Sequence, residues 1–274
     1  MTTSSPIVLL TGGSSGIGAA TAKLLCRGGM TVYSASRSGG GDAETLENGR
    51  IIPVKMDVND PSAVKEVVDR IVREQGRLDA VVCNAGNGIA GSVEDTSVDE
   101  ARSQFETCFY GAVRTIDACL PVFRSQGHGR IVTVSSVAAV IPIPFQAYYS
   151  SVKAALHMLT RALSLEVKPF GIQCCCILPG DTKTGFTKAR KYTQASQEAT
   201  SPYYQTMHRS VAKMEKDEQN GMAPEVIGKA ILRQLGRRKM KLTVTPRIDY
   251  RAIGILVRIL PERLAMWIIG LLYS

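Results

Sequence analysis

The chain has 274 residues, 45% of them hydrophobic and 21% charged, a balance that suits a soluble globular α/β domain with a large core. Its formal net charge of +9 admits an anionic ligand, but the basic residues are spread along the chain without interleaved aromatics, which argues against a nucleic-acid platform. The seven cysteines lie mostly in apolar stretches and lack zinc-site spacing, so they read as buried free thiols of a reducing cytoplasm.

Short apolar runs alternate with helical patterns along the chain. Met1–Pro6 is a polar lead without the features of a secretory signal. A strand over Ile7–Thr11 runs into Thr11-Gly12-Gly13-Ser14-Ser15-Gly16-Ile17-Gly18, and a helix over Gly16–Arg27 follows. Glycines between a strand and a helix have a physical reason. Gly12 permits the tight turn, Gly16 lets backbone approach a pyrophosphate, and Gly18 lets the helix pack closely. The helix N-terminus then offers unpaired N–H groups and a favourable field to phosphate. Ser14, Ser15 and Ile17 belong to the same candidate nucleotide loop.

The second strand, Thr31–Ala35, ends in Ser36 and Arg37, about 20 residues past the glycines. A carboxylate there would bind the ribose 2′-hydroxyl of NAD. The first carboxylate here is Asp42, and Arg37 suits a 2′-phosphate instead, so the expected cofactor is NADP(H). A third strand, Ile51–Met56, leads to Asp57 and Val58, placed to flank an adenine. A helix over Pro61–Gln75 follows, with Asn59 or Asp60 as its cap. The fourth strand, Leu78–Cys83, ends in Asn84-Ala85-Gly86, small residues against which a cofactor can lie.

A long helix is predicted over Val98–Phe123, a strand over Arg130–Ser135 and a helix over Ala147–Val167. Tyr149 and Lys153 are four residues apart and therefore share a helix face. A phenol beside an ammonium ionises more easily, which makes it a useful proton donor or acceptor near neutral pH. Ser136 follows a strand and offers a hydroxyl to the same reacting oxygen. Further strands are expected over Ile172–Leu178 and Leu242–Thr245, with a helix over Pro224–Leu235 between them. This alternation implies a doubly wound parallel sheet covered by helices on both faces, with no break that divides it.

Two regions stand outside the alternation. Residues 183–222 are polar, with interspersed aromatics and methionines, and read as either a mobile substrate lid or a surface helix pair. Residues 251–274 are apolar with Arg251, Arg258 and Arg263 interspersed, and their longest uncharged stretch, Leu264 to Ser274, is too short for a spanning helix of about 20 residues. That tail fits peripheral contact with a membrane surface, a cap over the site or a subunit interface.

With these motifs in order, the chain resembles the short-chain dehydrogenase/reductase family, and within it the hydroxysteroid dehydrogenases. The resemblance to the family rests on the glycine loop, Asn84-Ala85-Gly86, Ser136, Tyr149-x-x-x-Lys153 and Pro179-Gly180 and implies a single Rossmann-type domain; that to hydroxysteroid dehydrogenases rests on Gly129–Leu156 and Val167–Gly171. It implies hydride transfer between a nicotinamide and a carbonyl or alcohol, with Tyr149 as general acid/base. Lys153 would lower the phenol's pKa and hold the nicotinamide ribose, and Ser136 would stabilise the substrate oxygen. Pro179, Gly180, Thr182 and Thr184 would orient the nicotinamide and phosphates. The resemblance also implies a homo-oligomer, dimer or tetramer, and a large hydrophobic substrate. A hydroxysteroid or bile acid is expected first; Pro179-Gly180-Asp181-Thr182 and Leu260-Pro261-Glu262-Arg263-Leu264 also resemble reductases of long-chain lipid ketones. One departure stands out. Cys108 occupies the place of the family's usual helix asparagine, and a thiol is a poor substitute for an amide. A serine hydrolase is excluded by the lack of a Gly-x-Ser-x-Gly elbow. A nucleotide-sensing protein would not need Ser136, Tyr149 and Lys153 together.

Overall fold

A computed structural model describes residues 5–273. Most of the expected polar lead, Met1–Ser4, lies outside the described residues. In chain order, β1 (Ile7–Thr11), α1 (Gly16–Arg27), β2 (Thr31–Ser36), β3 (Glu44–Leu46) and β4 (Gly49–Lys55) come first. They are followed by α2 (Pro61–Gln75), β5 (Ala80–Cys83), β6 (Ile89–Ala90), α3 (Val98–Phe105), α4 (Gly111–Gln126) and β7 (Gly129–Val134). The remainder is α5 (Ala147–Glu166), β8 (Ile172–Ile177), α6 (Phe186–Ala189), β9 (Lys191–Tyr192), α7 (Tyr204–Gln219), α8 (Pro224–Leu235), β10 (Thr243–Val244), α9 (Ile248–Ile259) and α10 (Glu262–Tyr273).

Eight strands form one sheet in the order β10-β8-β7-β5-β1-β2-β4-β3. Every pairing in it is parallel except β3 with β4, a short hairpin that the sequence reading did not anticipate. The chain leaves β1 for β2 on one side and later reaches β5 on the other. The crevice beyond the carboxyl ends of β1 and β5 is therefore the switch point at which such sheets bind ligands.

Burial on both faces explains the unbroken apolar strands. Leu9, Val81 and Ile131 belong to one core cluster, with Ile71 of α2 and Phe123 of α4. Their neighbours Leu10, Val82 and Val132 belong to the other, with Leu25 of α1 and Ile227 of α8. Alternation along a strand thus feeds two helical layers. All seven cysteines are buried and unpaired.

Local caps fix several helix ends. Asp60 Oδ1 accepts from Ser62 N at 2.9 Å and Ala63 N at 3.3 Å ahead of α2, with Pro61 at its first position. Asp60→Ala should lower stability by about 1 kcal/mol, read from a urea unfolding midpoint at unchanged slope; an unchanged midpoint would show the cap to be idle.

The long helix expected over Val98–Phe123 is interrupted. A π turn, Glu106–Tyr110, separates α3 from α4 and carries Cys108. Inserted π turns re-aim a helix face and recur at functional sites.

Candidate active site

The glycine loop takes the form its sequence predicts. Gly12 and Gly16 have φ of 67° and 51°, in the left-handed region. A Cβ on Gly18 would lie 2.0 Å from the Gly12 carbonyl oxygen. Ser15 caps α1 with its backbone only, its side chain making no capping hydrogen bond, and Ser14 and Ser15 are exposed. The first-turn N–H groups of α1 are thus left for an anion. Ile17 instead packs half-buried on the core.

Asn84 plays a part that its sequence position did not reveal. Its Nδ2 donates to the carbonyls of Thr11 and Gly12, each at 3.1 Å. The N–H groups of Asn84 and Ala85 both donate to Thr11 Oγ1 at 3.0 Å. Asn84 clamps the glycine turn, in place of the passive surface expected of Asn84-Ala85-Gly86. Gly86 faces the other way: a Cβ there would meet Cys108 Sγ at 3.3 Å and Lys153 Nζ at 3.7 Å.

Arg37 is exposed at the end of β2 and has no hydrogen-bonding or ionic partner among the described residues. Ser36 Oγ accepts from Gly39 N at 3.1 Å and so shapes the turn beyond it. Asp57 is half-buried and its Oδ1 accepts from Asn59 N at 2.9 Å. Val58 is buried and packs where a Cβ on Gly111 would fall, 2.6 Å from its Cγ2.

The three residues read as reactive come together beyond β7. Ser136 begins a short 3₁₀ turn, Val137–Ala139, with its Oγ accepting from Ala138 N at 3.1 Å. Val137 N donates to the Pro179 carbonyl at 2.8 Å, which brings Pro179-Gly180 beside the same loop. In α5, Lys153 Nζ lies 5.7 Å from the Tyr149 ring centre and donates to the Val134 carbonyl at 3.0 Å. Lys153 is 6% exposed, so its remaining donors face the site without water in abundance. Burial holds the Tyr149 phenol above its ordinary pKa, while the charge of Lys153 and a hydrogen bond with Ser136 pull it back down. Lys153 acts in the expected direction, and burial, which raises the phenol's pKa, is the larger effect in the free protein.

Cys108 is buried at the edge of this group. Its Sγ accepts from Gln104 Nε2 at 3.0 Å and from Asn87 N at 3.4 Å. Gln104 and Asn87, neither singled out by the sequence pattern, surround the thiol with amide groups that the missing asparagine would otherwise supply.

Thr182 and Thr184 divide. Thr182 Oγ1 donates to the Gly180 carbonyl at 2.7 Å, and Thr184 Oγ1 accepts from Phe186 N at 3.2 Å. Thr184 also stands opposite Gly16, where a Cβ on the glycine would come within 3.2 Å of its own Cβ. The two walls of the crevice meet there with room for backbone alone.

Residues 183–222 form α6, β9 and α7 and lie over the tyrosine. The Phe186 and Tyr149 ring centres are 5.7 Å apart. Arg190, buried, pairs with Glu215 and Glu218, and Tyr192 donates to Glu215 at 3.1 Å. Met207, Val211 and Met214 make a separate apolar cluster with Ile143, Phe145 and Tyr273. Phe145 has φ of 58°, rare for a bulky residue, and its carbonyl accepts from Gly91 N at 2.9 Å just ahead of α5. On the far side, Tyr250 of α9 covers Gly180 and donates to Asp181 Oδ2 at 2.6 Å. No sequence spacing links Tyr250 to Asp181; only the fold joins them.

The short chain dehydrogenase family model matches residues 6–195. The chain belongs to the short-chain dehydrogenases. As a member it is an oxidoreductase, and its Rossmann-like sheet is the family's. It is 35% identical over 262 residues to a 3-ketodihydrosphingosine reductase of Bacteroides thetaiotaomicron, covering 96% of this chain and 93% of the relative. A short-chain dehydrogenase from Streptomyces avermitilis superposes with a TM-score of 0.81 at 28% identity, over 97% of each chain. A Burkholderia phymatum member solved with NAD superposes at 0.78 over 93% of each chain; at 19% identity it speaks for the fold alone.

Proposed function

We propose that this dehydrogenase is an NADP(H)-dependent reductase of long-chain ketones of the 3-ketosphingoid type. The observation that carries the substrate class is the end-to-end similarity to the Bacteroides 3-ketodihydrosphingosine reductase. It favours the lipid-ketone alternative over the hydroxysteroid first expected. The structure also weakens the case for a bile-acid carboxylate. Arg190, the buried cation over Phe186, is already committed to Glu215 and Glu218.

The residues fit a dinucleotide. Gly12 and Gly16 give the backbone room, the open first turn of α1 receives the pyrophosphate, Lys153 holds the nicotinamide ribose, and Arg37 has no competing partner for a 2′-phosphate. When bound, the nicotinamide supplies the hydride that reduces the ketone. Tyr149 gives its phenolic proton to the ketone oxygen in the same reduction, so that hydride and proton together make the alcohol. A phenol kept above its ordinary pKa by burial is protonated at neutral pH, the state this step needs. Ser136 donates a hydrogen bond to the oxygen as charge develops on it. The 183–222 segment serves as the lid, with Phe186 excluding water from the phenol and the Met207–Met214 cluster forming an apolar wall.

The test is NADPH oxidation with 3-ketodihydrosphingosine, a 3-ketosteroid and a bile-acid ketone offered in parallel. The sphingoid ketone should give the highest kcat/KM; a higher value for either steroid would reject the substrate reading. Arg37→Ala should cut the preference for NADPH over NADH by roughly 10- to 100-fold, the worth of a charge-assisted hydrogen bond. An unchanged ratio would remove Arg37 from the cofactor argument.

A further inference from the structure

We propose that α9 and α10 form a docking surface for an anionic phospholipid bilayer. Among the described residues, 17 large hydrophobic side chains are exposed, and 10 of them lie between Ile248 and Leu272. This clustering follows from the way the two helices sit. The inward side of α9 presents Tyr250, Gly254 and Val257 to the body of the protein. At 100° per residue, Ile248, Ala252, Leu256 and Ile259 must face the opposite way. Ile248 is 85% exposed and Ile259 74%. In α10, Ala265 and Ile269 are buried, which turns Leu264, Trp267 and Leu271 outward. Both helices thus expose an apolar side as well as burying one, which is more exposed apolar surface than a monomer's surface helix usually carries.

Charge decides what covers this face. From Lys241 to the last residue the chain carries five basic and two acidic side chains. Arg251 and Arg258 are two helical turns apart on one edge of α9. With Lys241 they line a cavity of about 360 Å³ beneath the helix, whose wall also holds Thr243 and Thr245. Cations and hydroxyls beside an outward apolar face complement phosphate headgroups above acyl chains. A second copy of the chain, joined through a two-fold axis, would instead bring the same basic rim against itself. No helix among the described residues is long and apolar enough to cross a membrane, so the docking lies in the interface plane.

Tyr250 fastens α9 to Gly180 and Asp181, and Tyr273 of α10 packs on the Met207–Met214 cluster. The surface is therefore held next to the reactive crevice. Supply of a lipid ketone from the bilayer rests on the substrate reading above; the docking itself does not.

Trp267 is the only tryptophan of the chain and is 62% exposed on this face, so its fluorescence reports directly. With the full chain, vesicles of phosphatidylglycerol and phosphatidylcholine should shift its emission to the blue. Pure phosphatidylcholine vesicles should do so far less, and about 0.5 M salt should reverse the shift. Arg251→Glu with Arg258→Glu should weaken vesicle partition at least about tenfold. Ile259→Asp should do the same, with unchanged circular dichroism in both variants. Three results would overturn the proposal. One is no shift with anionic vesicles. Another is equal partition by the charge-reversed variant. The third is a vesicle-free blue shift that tracks a dimer in sedimentation and is lost in Ile259→Asp. Vesicle binding without turnover of sphingoid ketones would reject the substrate reading and leave the docking standing; turnover without binding would do the opposite.

Discussion

Tyr149→Phe is expected to lower kcat by about 10²- to 10⁴-fold, the range for loss of a positioned proton donor, while NADPH affinity stays close to that of the parent. The ring contact with Phe186 survives the substitution, since only the hydroxyl is removed. Stopped-flow turnover and NADPH fluorescence titration separate the two readouts. Loss of cofactor binding along with turnover would mean that the hydroxyl shapes the crevice and is not the proton donor. The pH profile adds a sign. The free phenol sits above its ordinary pKa because burial outweighs Lys153 and Ser136. It stays protonated through neutral pH and loses its proton only under alkaline conditions. Reduction by the parent protein should therefore hold across neutral pH and fall on the alkaline side. Oxidation of the corresponding alcohol needs the phenolate and should rise as reduction falls. A reduction rate that climbs with pH above neutrality would contradict the assignment.

Gly18→Ala is the second large effect. The added Cβ would lie 2.0 Å from the Gly12 oxygen and 2.8 Å from Asn84 Nδ2, neither of which is a flexible side-chain end free to swing away. Either α1 withdraws from the turn or the turn opens, and both disturb the first-turn N–H groups. Stability should fall by about 1–3 kcal/mol, as for other overpacked sites. NADPH affinity should drop by roughly tenfold or more, since the phosphate site is the displaced element. Gly40→Ala is the control for stability, because a Cβ there meets nothing within 4 Å. Equal thermal midpoints and equal NADPH affinity for Gly18→Ala and the parent would show that the loop tolerates a side chain.

Elements with a local cause were legible in the chain. The Asp60-Pro61 start of α2 and the Gly12–Gly18 turn follow from capping geometry and backbone freedom within a few residues. The six strands from β8 to β4 across the sheet centre announced themselves as apolar runs because both faces are buried. The shorter β3, β6 and β9 did not, because two or three residues carry no period. The π turn at Glu106–Tyr110 was likewise hidden, since a period of 3.6 continues on either side of it. The sequence showed the tail to be apolar and left open whether a membrane surface, the site or a subunit covers it; the structure turns one apolar side of its helices outward.

What the sequence determined by itself was the alternating architecture, the glycine turn and the shared helix face of Tyr149 and Lys153. Each depends on neighbours within one or two turns of chain. What only the tertiary structure decided was the clamp of Asn84 on Gly12, the cover of Phe186 over Tyr149, the amides of Asn87 and Gln104 around Cys108, and the seat of Tyr250 on Gly180 and Asp181. Most of those contacts join residues tens of positions apart, and packing, not spacing, selects them. The balance at Tyr149 belongs to the same class. Lys153 four residues away predicts a lower pKa, yet the burial that the whole fold imposes raises it.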